Sequence, residues 1–124
     1  MRLIIGGYAQ GKLAYVLRTY GLNESVVLDG VLPEGTQGTV VVNHLHMWVR
    51  KRILDGGDPE KEILQLCEDC PECILISDEI GCGIVPLEAW EREYRERMGR
   101  ILISIAGRAE HVERVFCGIG QKIK

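Results

Sequence analysis

A glycine-rich segment near the start of the chain has the residue types that bind phosphate groups. Its spacing is Gly, four residues, Gly and Lys, the first seven positions of the phosphate-binding loop of nucleotide-binding proteins. The glycines let backbone N–H groups face a phosphate, and the lysine ammonium neutralises its charge. We therefore predict a phosphate-binding loop here, with a plain glycine-rich turn as the alternative. The predicted binding residues are Gly6, Gly7, Tyr8, Ala9, Gln10, Gly11, Lys12 and Leu13.

The position after this lysine lacks the group that usually holds a metal ion. A Ser or Thr hydroxyl normally coordinates Mg²⁺ there, whereas Leu13 has no oxygen. Phosphate can still bind, but Mg²⁺ is expected to be held weakly, so no residue is assigned as a metal ligand. Tyr8, inside the loop, either stacks on a nucleotide base or covers the loop.

Two adjacent carboxylates follow an apolar segment further along the chain. Ligands of parallel sheets bind at the carboxyl ends of the strands, which is where Asp78 and Glu79 are expected. For phosphoryl transfer, Glu79, with Asp78 beside it, is the candidate general base or metal ligand, and Lys12 is the candidate phosphate clamp. The alternative is that the two acids only cap a loop.

Cysteines and histidines offer two further candidates for a metal site. Cys67, Cys70 and Cys73 have the spacing C-x2-C-x2-C, which is typical of some metal sites, although buried structural cysteines have the same pattern. His44 and His46 are two residues apart and could reach one ion, or they could be ordinary residues at the start of a helix. Both interpretations stay open for each group.

Short apolar segments alternate with helical segments along the whole chain. This alternation predicts a three-layer α/β fold of the P-loop NTPase type, with a mostly parallel sheet and residues 1–124 in a single domain. The predicted strands are Arg2–Ile5, Ser25–Leu28, Thr39–Val42, Cys73–Ser77 and Val112–Cys117. The predicted helices are Lys12–Tyr20, Leu45–Leu54, Pro59–Cys67 and Leu87–Arg108.

The longest predicted helix has one apolar stripe and one charged face. On the charged face, acids precede bases by four residues, and each such pair contributes about 0.3 kcal/mol. We interpret this face as solvated rather than as a binding patch. The stripe that is expected to face the core consists of Trp90, Tyr94, Met98, Ile101 and Ile105.

The composition excludes several classes of function. The formal net charge is -3, which gives no basic surface for nucleic acid. No apolar run is long enough to cross a membrane, and the apolar start is too short for a signal peptide. We therefore expect a cytoplasmic protein with no nucleic-acid or membrane partner, whose 5 cysteines are thiols.

Residues 78–86, Asp-Glu-Ile-Gly-Cys-Gly-Ile-Val-Pro, resemble the Asn-Glu-Val-Gly-x-Gly-Ile-Val-Pro signature of a known family. This is the bifunctional adenosylcobinamide kinase/adenosylcobinamide-phosphate guanylyltransferase family of cobalamin biosynthesis. Arg92, Tyr94 and Arg95 are similar to its Arg-x-Phe-Arg motif, and the glycine-rich loop matches its N-terminal P-loop. The resemblance implies ATP or GTP as the bound nucleotide, a corrinoid as a possible partner and a homo-oligomer, specifically a trimer.

The departures from the family pattern all fall on residues that carry chemistry. Asn43 stands where the resemblance implies an acidic residue on the metal side of the site. The short segment from Asp29 to Gly38 replaces the one that carries the guanylylated histidine, and Leu102 and Ile103 replace an Asn-Gln pair. The resemblance therefore implies that guanylyl transfer is lost.

Two hypotheses of different classes follow. In the first, the chain is a phosphotransferase in which Lys12 clamps the phosphates and Glu79 manages the metal or the attacking hydroxyl. In the second, it is a non-catalytic module that binds a nucleotide or a corrinoid. Leu13, Asn43 and the missing histidine favour the second, and the sequence leaves open whether the chain is an enzyme.

Overall fold

A computed structural model describes residues 1–35, 38–80 and 88–124 of the chain. In this part of the chain the strands are β1 (Arg2–Gly6), β2 (Val27–Asp29), β3 (Val41–Asn43), β4 (Ile74–Asp78), β5 (His111–Phe116) and β6 (Ile119–Lys122). The helices are α1 (Lys12–Tyr20), α2 (Leu45–Leu54), α3 (Pro59–Asp69) and α4 (Ala89–Arg108), with a short 3-10 helix at Glu24–Val26.

The six strands form one sheet in the order β2-β3-β4-β1-β5-β6. Neighbouring strands are parallel except for β6, which runs antiparallel to β5. Because β1, β3 and β4 are parallel, they all end at the same edge of the sheet. We call this edge the carboxyl edge, and Gly6, Asn43 and Asp78 lie on it.

Helices cover both faces of the sheet, which confirms the predicted three-layer α/β fold. Consecutive strand residues point to opposite faces, so Leu3 packs with α2, α3 and α4 while Ile4 packs with α1. The predicted apolar stripe of α4 is buried at Tyr94, Met98 and Ile105, and at Ile101 between them. Three helices thus lie on one face and α1 on the other.

Local sequence signals explain where most helices begin and end. Asp58 caps α3 by accepting the N–H of Lys61 at 3.2 Å, and Pro59 occupies the first turn. Gly21 ends α1 with a φ of 63°, a left-handed conformation that glycine adopts without strain. Both α1 and α2 have the predicted bounds.

The predicted strand bounds differ from the structure by one residue or more at every strand, and three differences are larger. The predicted second strand begins with a 3-10 turn, because the Asn23 side chain accepts the N–H of Ser25 at 2.9 Å and caps it. The third strand begins at Val41 rather than at Thr39. The sequence analysis missed β6, which follows a tight turn at Cys117 and Gly118 after β5 ends.

The length and apolar character of the described helices were compared with what a membrane-spanning helix requires. Within residues 1–35, 38–80 and 88–124, none of them combines the length and apolar character needed to cross a bilayer. The predicted start of the longest helix at Leu87 and the signature residues 81–86 lie outside the described residues.

Candidate functional site

The glycine-rich loop connects the end of β1 to the start of α1, as the motif requires. Ala9 and Gly11 have left-handed backbone conformations, with φ of 56° and 81°, and these turns fold the loop. At Gly6 a Cβ atom would lie 2.5 Å from the Val115 carbonyl oxygen of β5. Only glycine fits there, so the first glycine of the motif is required by packing against the neighbouring strand.

Lys12, the lysine of the motif, is buried beneath this loop. Its side chain is only 8% exposed. The ammonium donates to the Gly7 carbonyl oxygen at 2.7 Å and forms a salt bridge with Asp78 Oδ1 at 2.7 Å. A buried lysine needs such partners, since an unpaired charge there would be strongly destabilising. Lys12 is therefore held between the loop and the end of β4.

The loop forms one wall of a cavity of about 270 Å³ at the carboxyl edge. Tyr8 lines this cavity and is 85% exposed. The space suits an anion of the size of a phosphate group. Its lining residues are Tyr8, Ala9, Gln10, Gly11, Lys12, Leu13, Ala14, Asn43, His44 and Asp78.

Asp78 is held in this cavity by a histidine as well as by Lys12. The backbone N–H of Asp78 donates to His46 Nδ1 at 3.1 Å, and His46 Nε2 lies 3.4 Å from Asp78 Oδ2. Burial lowers the pKa of His46, and the negative charge of Asp78 offsets this only in part. The ring is therefore neutral near pH 7, with its hydrogen on Nε2, since Nδ1 accepts a hydrogen bond.

Glu79 has a different environment from Asp78, although the two are adjacent. Its carboxylate forms a paired contact with Arg114 of β5, from Nε to Oε1 at 2.9 Å and from Nη2 to Oε2 at 3.1 Å. Its N–H donates to the carbonyl oxygen of Gly6 at 2.8 Å. Thus Asp78 contacts Lys12, whereas Glu79, the predicted general base or metal ligand, contacts Arg114. The sequence analysis did not find Arg114.

A second polar group lies where β2 and β3 end side by side. Asn43 is buried, and its Nδ2 donates to Asp29 Oδ1 at 3.2 Å. His44 Nδ1 lies 2.5 Å from the same carboxylate oxygen. Asn43 thus stabilises a carboxylate on the neighbouring strand, and Asp29 was not among the predicted site residues. The register of the sheet, in which Asp29 pairs with Asn43, brings them together.

The two histidines considered as metal ligands have separate partners. Their rings are 5.7 Å apart and nearly perpendicular, with His44 facing Asp29 and His46 facing Asp78. His44 directly precedes the first residue of α2, without a capping hydrogen bond from its side chain, and His46 lies in the first turn. This arrangement fits the interpretation of helix-start residues beside a phosphate site.

The cysteine cluster lies away from this edge of the sheet. Cys70 and Cys73 are buried and Cys67 is half-buried. Burial raises the pKa of Cys73 to about 12, and the nearby Cys67 and Cys70 add to this shift. Among the residues that the structure describes, no group of three His, Cys, Asp or Glu side chains is arranged to hold a metal ion.

The turn between β5 and β6 supports the back of the glycine-rich loop. The Gln10 side chain accepts the N–H of Cys117 at 2.8 Å, and the Gln10 carbonyl oxygen accepts the N–H of Gly118 at 2.8 Å. The Arg18 side chain also donates to the carbonyl oxygen of Gly118 at 3.3 Å. The turn that leads into the unpredicted strand β6 therefore contacts the loop directly.

A mostly parallel sheet between two helical layers, with this loop between β1 and α1, defines an α/β protein of the P-loop type. The family model described as cobinamide kinase / cobinamide phosphate guanyltransferase matches residues 18–123. The chain belongs to this family. Because the match begins after the glycine-rich loop, the interpretation of the loop depends on its own motif and geometry.

Three characterised relatives have similar sequences over part of their length. The bifunctional adenosylcobalamin biosynthesis protein CobU of Salmonella typhimurium is 41% identical over 69 residues, which cover 54% of this chain and 38% of that protein. CobU of Escherichia coli is 37% identical over 65 residues, which cover 52% and 36% respectively. CobP of Pseudomonas aeruginosa is 32% identical over 91 residues, which cover 68% and 53%. The matches thus span between about a third and a half of the relatives' length.

Proposed function

We propose that residues 1–124 act as a nucleotide-binding domain in cobalamin biosynthesis, with ATP or GTP bound at the glycine-rich loop. The observation that carries this proposal is the buried Lys12 ammonium beneath the loop, next to a cavity of phosphate size. Phosphate oxygens would replace the Gly7 carbonyl as partners of the ammonium. The names of the relatives support adenosylcobalamin biosynthesis as the context.

The reaction that this site supports best is phosphoryl transfer to a hydroxyl group of cobinamide. Lys12 would neutralise charge on the transferred group, and Asp78 supplies the carboxylate beside it. Mg²⁺ would enter with the nucleotide and shield its phosphates. Asp78 is the acidic side chain in the described lining of the cavity that could face this ion, because Leu13 and Asn43 carry no charge.

Guanylyl transfer is not part of this proposal. The segment from Asp29 to Gly38 contains no histidine, although the resemblance implies a guanylylated histidine there. The proposed activity is therefore limited to the kinase half of the two reactions in the family description.

A second candidate function is a non-catalytic module that binds the nucleotide or a corrinoid. The observation that favours it is Leu13, whose side chain packs against the apolar cluster beneath α1 at the position of the usual Mg²⁺ ligand. Without that hydroxyl the site would bind a nucleotide without turning it over.

Nucleotide binding can be tested by isothermal titration calorimetry with ATP and GTP, each with and without Mg²⁺. We expect Lys12→Ala to weaken binding by about 10- to 100-fold, since it removes a charged hydrogen bond to phosphate. Lys51→Ala, at an exposed position in α2, is the matched control and should bind as the unmodified chain does. Equal affinity of both variants would refute the phosphate site.

The two candidate functions differ in whether the bound nucleotide is converted to products. Transfer of the γ-phosphate to cobinamide in the presence of Mg²⁺, measured by mass spectrometry of the product, would support the kinase. Tight binding that does not depend on Mg²⁺, with no conversion of the nucleotide, would support the module.

We also propose a cytoplasmic homo-oligomer, specifically a trimer, as the family resemblance implies. Sedimentation velocity over a range of protein concentrations tests this directly. A species of the mass of one chain, 13.9 kDa, at all concentrations would contradict it.

A further inference from the structure

We infer that His44, oriented by Asp29, is the general base for phosphoryl transfer at the glycine-rich loop. This inference rests on the proposed nucleotide-binding function and assigns the role of proton acceptor to a residue outside the adjacent pair Asp78 and Glu79. The imidazole of His44 lines the same cavity as Lys12.

The other candidate bases at this edge are already engaged. Asp78 forms the salt bridge with Lys12, and Glu79 forms two contacts with Arg114. His46 accepts the Asp78 N–H at Nδ1, so its second nitrogen carries a hydrogen and cannot accept a proton. Among the described residues that line the cavity, His44 is thus the side chain with a nitrogen lone pair available for a base.

The contacts of His44 orient the ring for this role. Its Nδ1 lies 2.5 Å from Asp29 Oδ1, and a carboxylate at that distance fixes the hydrogen on Nδ1. Nε2 then presents its lone pair. Asn43 donates to the same oxygen of Asp29 at 3.2 Å and so holds the carboxylate in place. An imidazole base that is oriented by a carboxylate is also the arrangement of the catalytic triads.

His44 also has an unusual backbone conformation, which indicates a structural constraint at this position. The residue has φ of 55° and ψ of 47°, a left-handed conformation that is unfavourable for a residue other than glycine. This conformation links the end of β3 to the first residue of α2 and sets the direction of the ring. The side chain is 48% exposed, so a proton taken up by the ring can pass to water.

Phosphoryl transfer to the acceptor hydroxyl moves one proton to His44. The hydroxyl of the acceptor loses its proton to His44 Nε2, and its oxygen forms a bond with the γ-phosphorus of the nucleotide. The bond between that phosphorus and the bridging oxygen breaks, and the nucleoside diphosphate leaves with the electron pair. The imidazolium then releases its proton to water, so the products are a phosphate ester, a nucleoside diphosphate and one proton.

The charged groups that face His44 come from three elements. Asp29 at the end of β2 contacts its ring, and Asp78 at the end of β4 and Lys12 on α1 line the same cavity. Since a protonated imidazole cannot act as a base, turnover is expected to fall on the acid side as His44 takes up one proton.

The test uses the full chain with ATP, Mg²⁺ and cobinamide as the acceptor. His44→Asn is the main variant because asparagine tolerates a left-handed backbone better than most residues do. We expect kcat to fall by about 100-fold while the nucleotide Kd from calorimetry changes by less than about twofold. His111→Gln, at the start of β5 and at the opposite edge of the sheet, is the control and should leave both values unchanged.

Two further variants separate a chemical role from a structural one. His44→Gly accommodates the positive φ and leaves space, so added imidazole should restore part of the lost turnover. Asp29→Asn should lower kcat less than His44→Asn does and should shift the acid limb of the pH profile. A structural role of His44 would produce neither the rescue nor the shift.

Several outcomes would overturn the inference. If the unmodified chain binds the nucleotide but does not phosphorylate cobinamide, His44 is not a catalytic base, although the nucleotide site stands. Unchanged kcat in His44→Asn, or an acid-labile phosphate adduct on His44, would also refute it. Failure of the unmodified chain to bind ATP or GTP would instead refute the proposed function itself.

Discussion

The two edges of the sheet differ in what they bury. At the carboxyl edge the buried side chains include an ammonium, an amide, an imidazole and a hydroxyl, and these belong to Lys12, Asn43, His46 and Ser77. Most of these groups have side-chain or backbone partners from another element. Burial of so many polar groups in one place is unfavourable for folding unless each is paired.

The opposite, amino edge is closed mainly by apolar groups. Met1, Cys70, Cys73 and Ala109 are buried there and belong to one apolar cluster. Polar contacts at this edge include the amino terminus, which donates to the Pro71 carbonyl oxygen at 2.5 Å, and the Cys70 thiol, which donates to the Gly38 carbonyl oxygen at 3.8 Å. The amino edge therefore stabilises the fold, whereas the carboxyl edge holds polar groups in an arrangement that folding alone does not require.

Because the two edges differ, substitutions at the amino edge should change stability, and substitutions at the carboxyl edge should change binding. The largest expected effect is a loss of stability at a buried apolar residue. Leu3, near the amino end of β1, is buried, and Leu3→Ala should lower the free energy of unfolding by about 3 kcal/mol. Chemical denaturation measures this change. The folded variant should bind ATP as the unmodified chain does, since Leu3 contributes nothing to the cavity.

The exposed Ile103 of α4 provides a control in which a similar number of aliphatic side-chain atoms is removed from the surface. Ile103→Ala should change the free energy of unfolding by less than about 0.5 kcal/mol. Comparable losses in the two variants would show that burial at the amino edge does not dominate stability.

At the carboxyl edge we expect a smaller loss of stability and a change in binding. Asp78→Asn removes the charge opposite the buried Lys12 and should lower the free energy of unfolding by about 2 kcal/mol. Without Mg²⁺ the same variant should bind ATP more tightly, because one negative charge that faces the phosphates is gone. Denaturation and calorimetry measure the two effects on the same sample.

Asp69→Asn, at an exposed position at the end of α3, is the matched control and should alter neither quantity measurably. If Asp78→Asn instead weakened binding in the absence of Mg²⁺, Asp78 would support the phosphate site through Lys12 rather than oppose the phosphates.

The pH dependence of stability provides the third comparison, at His46. Burial lowers the pKa of this histidine below its ordinary value of 6.5 in the folded chain. The unfolded chain therefore takes up the proton first as the pH falls through 6.5, and stability is lost from there down to the folded pKa. Thermal unfolding between pH 8 and pH 5 should show this decline.

The His46→Gln variant should flatten that decline, because a glutamine side chain can accept the Asp78 N–H without titrating. The control His111→Gln should retain it. A decline of the same slope in His46→Gln would assign the pH dependence to other groups.

Much of the fold was predictable because it depends on local signals. An apolar run that ends at glycine indicated β1 and the start of the loop, and glycines just after their last residues indicated the ends of α1 and α2. β6 was missed since its residues Ile119 and Gly120 are exposed or half-exposed and show no alternation that indicates a buried face. Its place depends on pairing with β5, which is a tertiary contact.

The contacts of the two adjacent carboxylates could not be predicted from the sequence. The motif identified Lys12, yet adjacent residues at a strand end point to opposite sides, so Asp78 and Glu79 separate. The partner of Glu79 lies 35 residues further along the chain and could not be found from spacing. The pairing of Asp29 with His44 likewise depends on the register of β2 and β3.

The smallest expected effect lies in the helical layer, between the two edges. Arg97 of α4 donates to both carboxylate oxygens of Glu60 in α3 at 2.9 and 3.0 Å, and this contact lowers the pKa of Glu60 to about 2. Because the Glu60 side chain is 37% exposed, water screens the pair, and Glu60→Gln should lower the free energy of unfolding by only about 0.5 kcal/mol.

The contribution of Glu60 to stability depends on pH with the sign opposite to that of a group whose folded pKa is raised. Glu60 contributes its stability in full above the unfolded pKa of 4.5 and loses it as the pH falls from there towards about 2. Denaturation at pH 7 and pH 3 should therefore show a larger difference between Glu60→Gln and the unmodified chain at pH 7 than at pH 3. A change in ATP affinity in this variant would contradict the separation of the helical layer from the carboxyl edge, since the contact joins α3 to α4 and contributes no residue to the cavity beside Lys12.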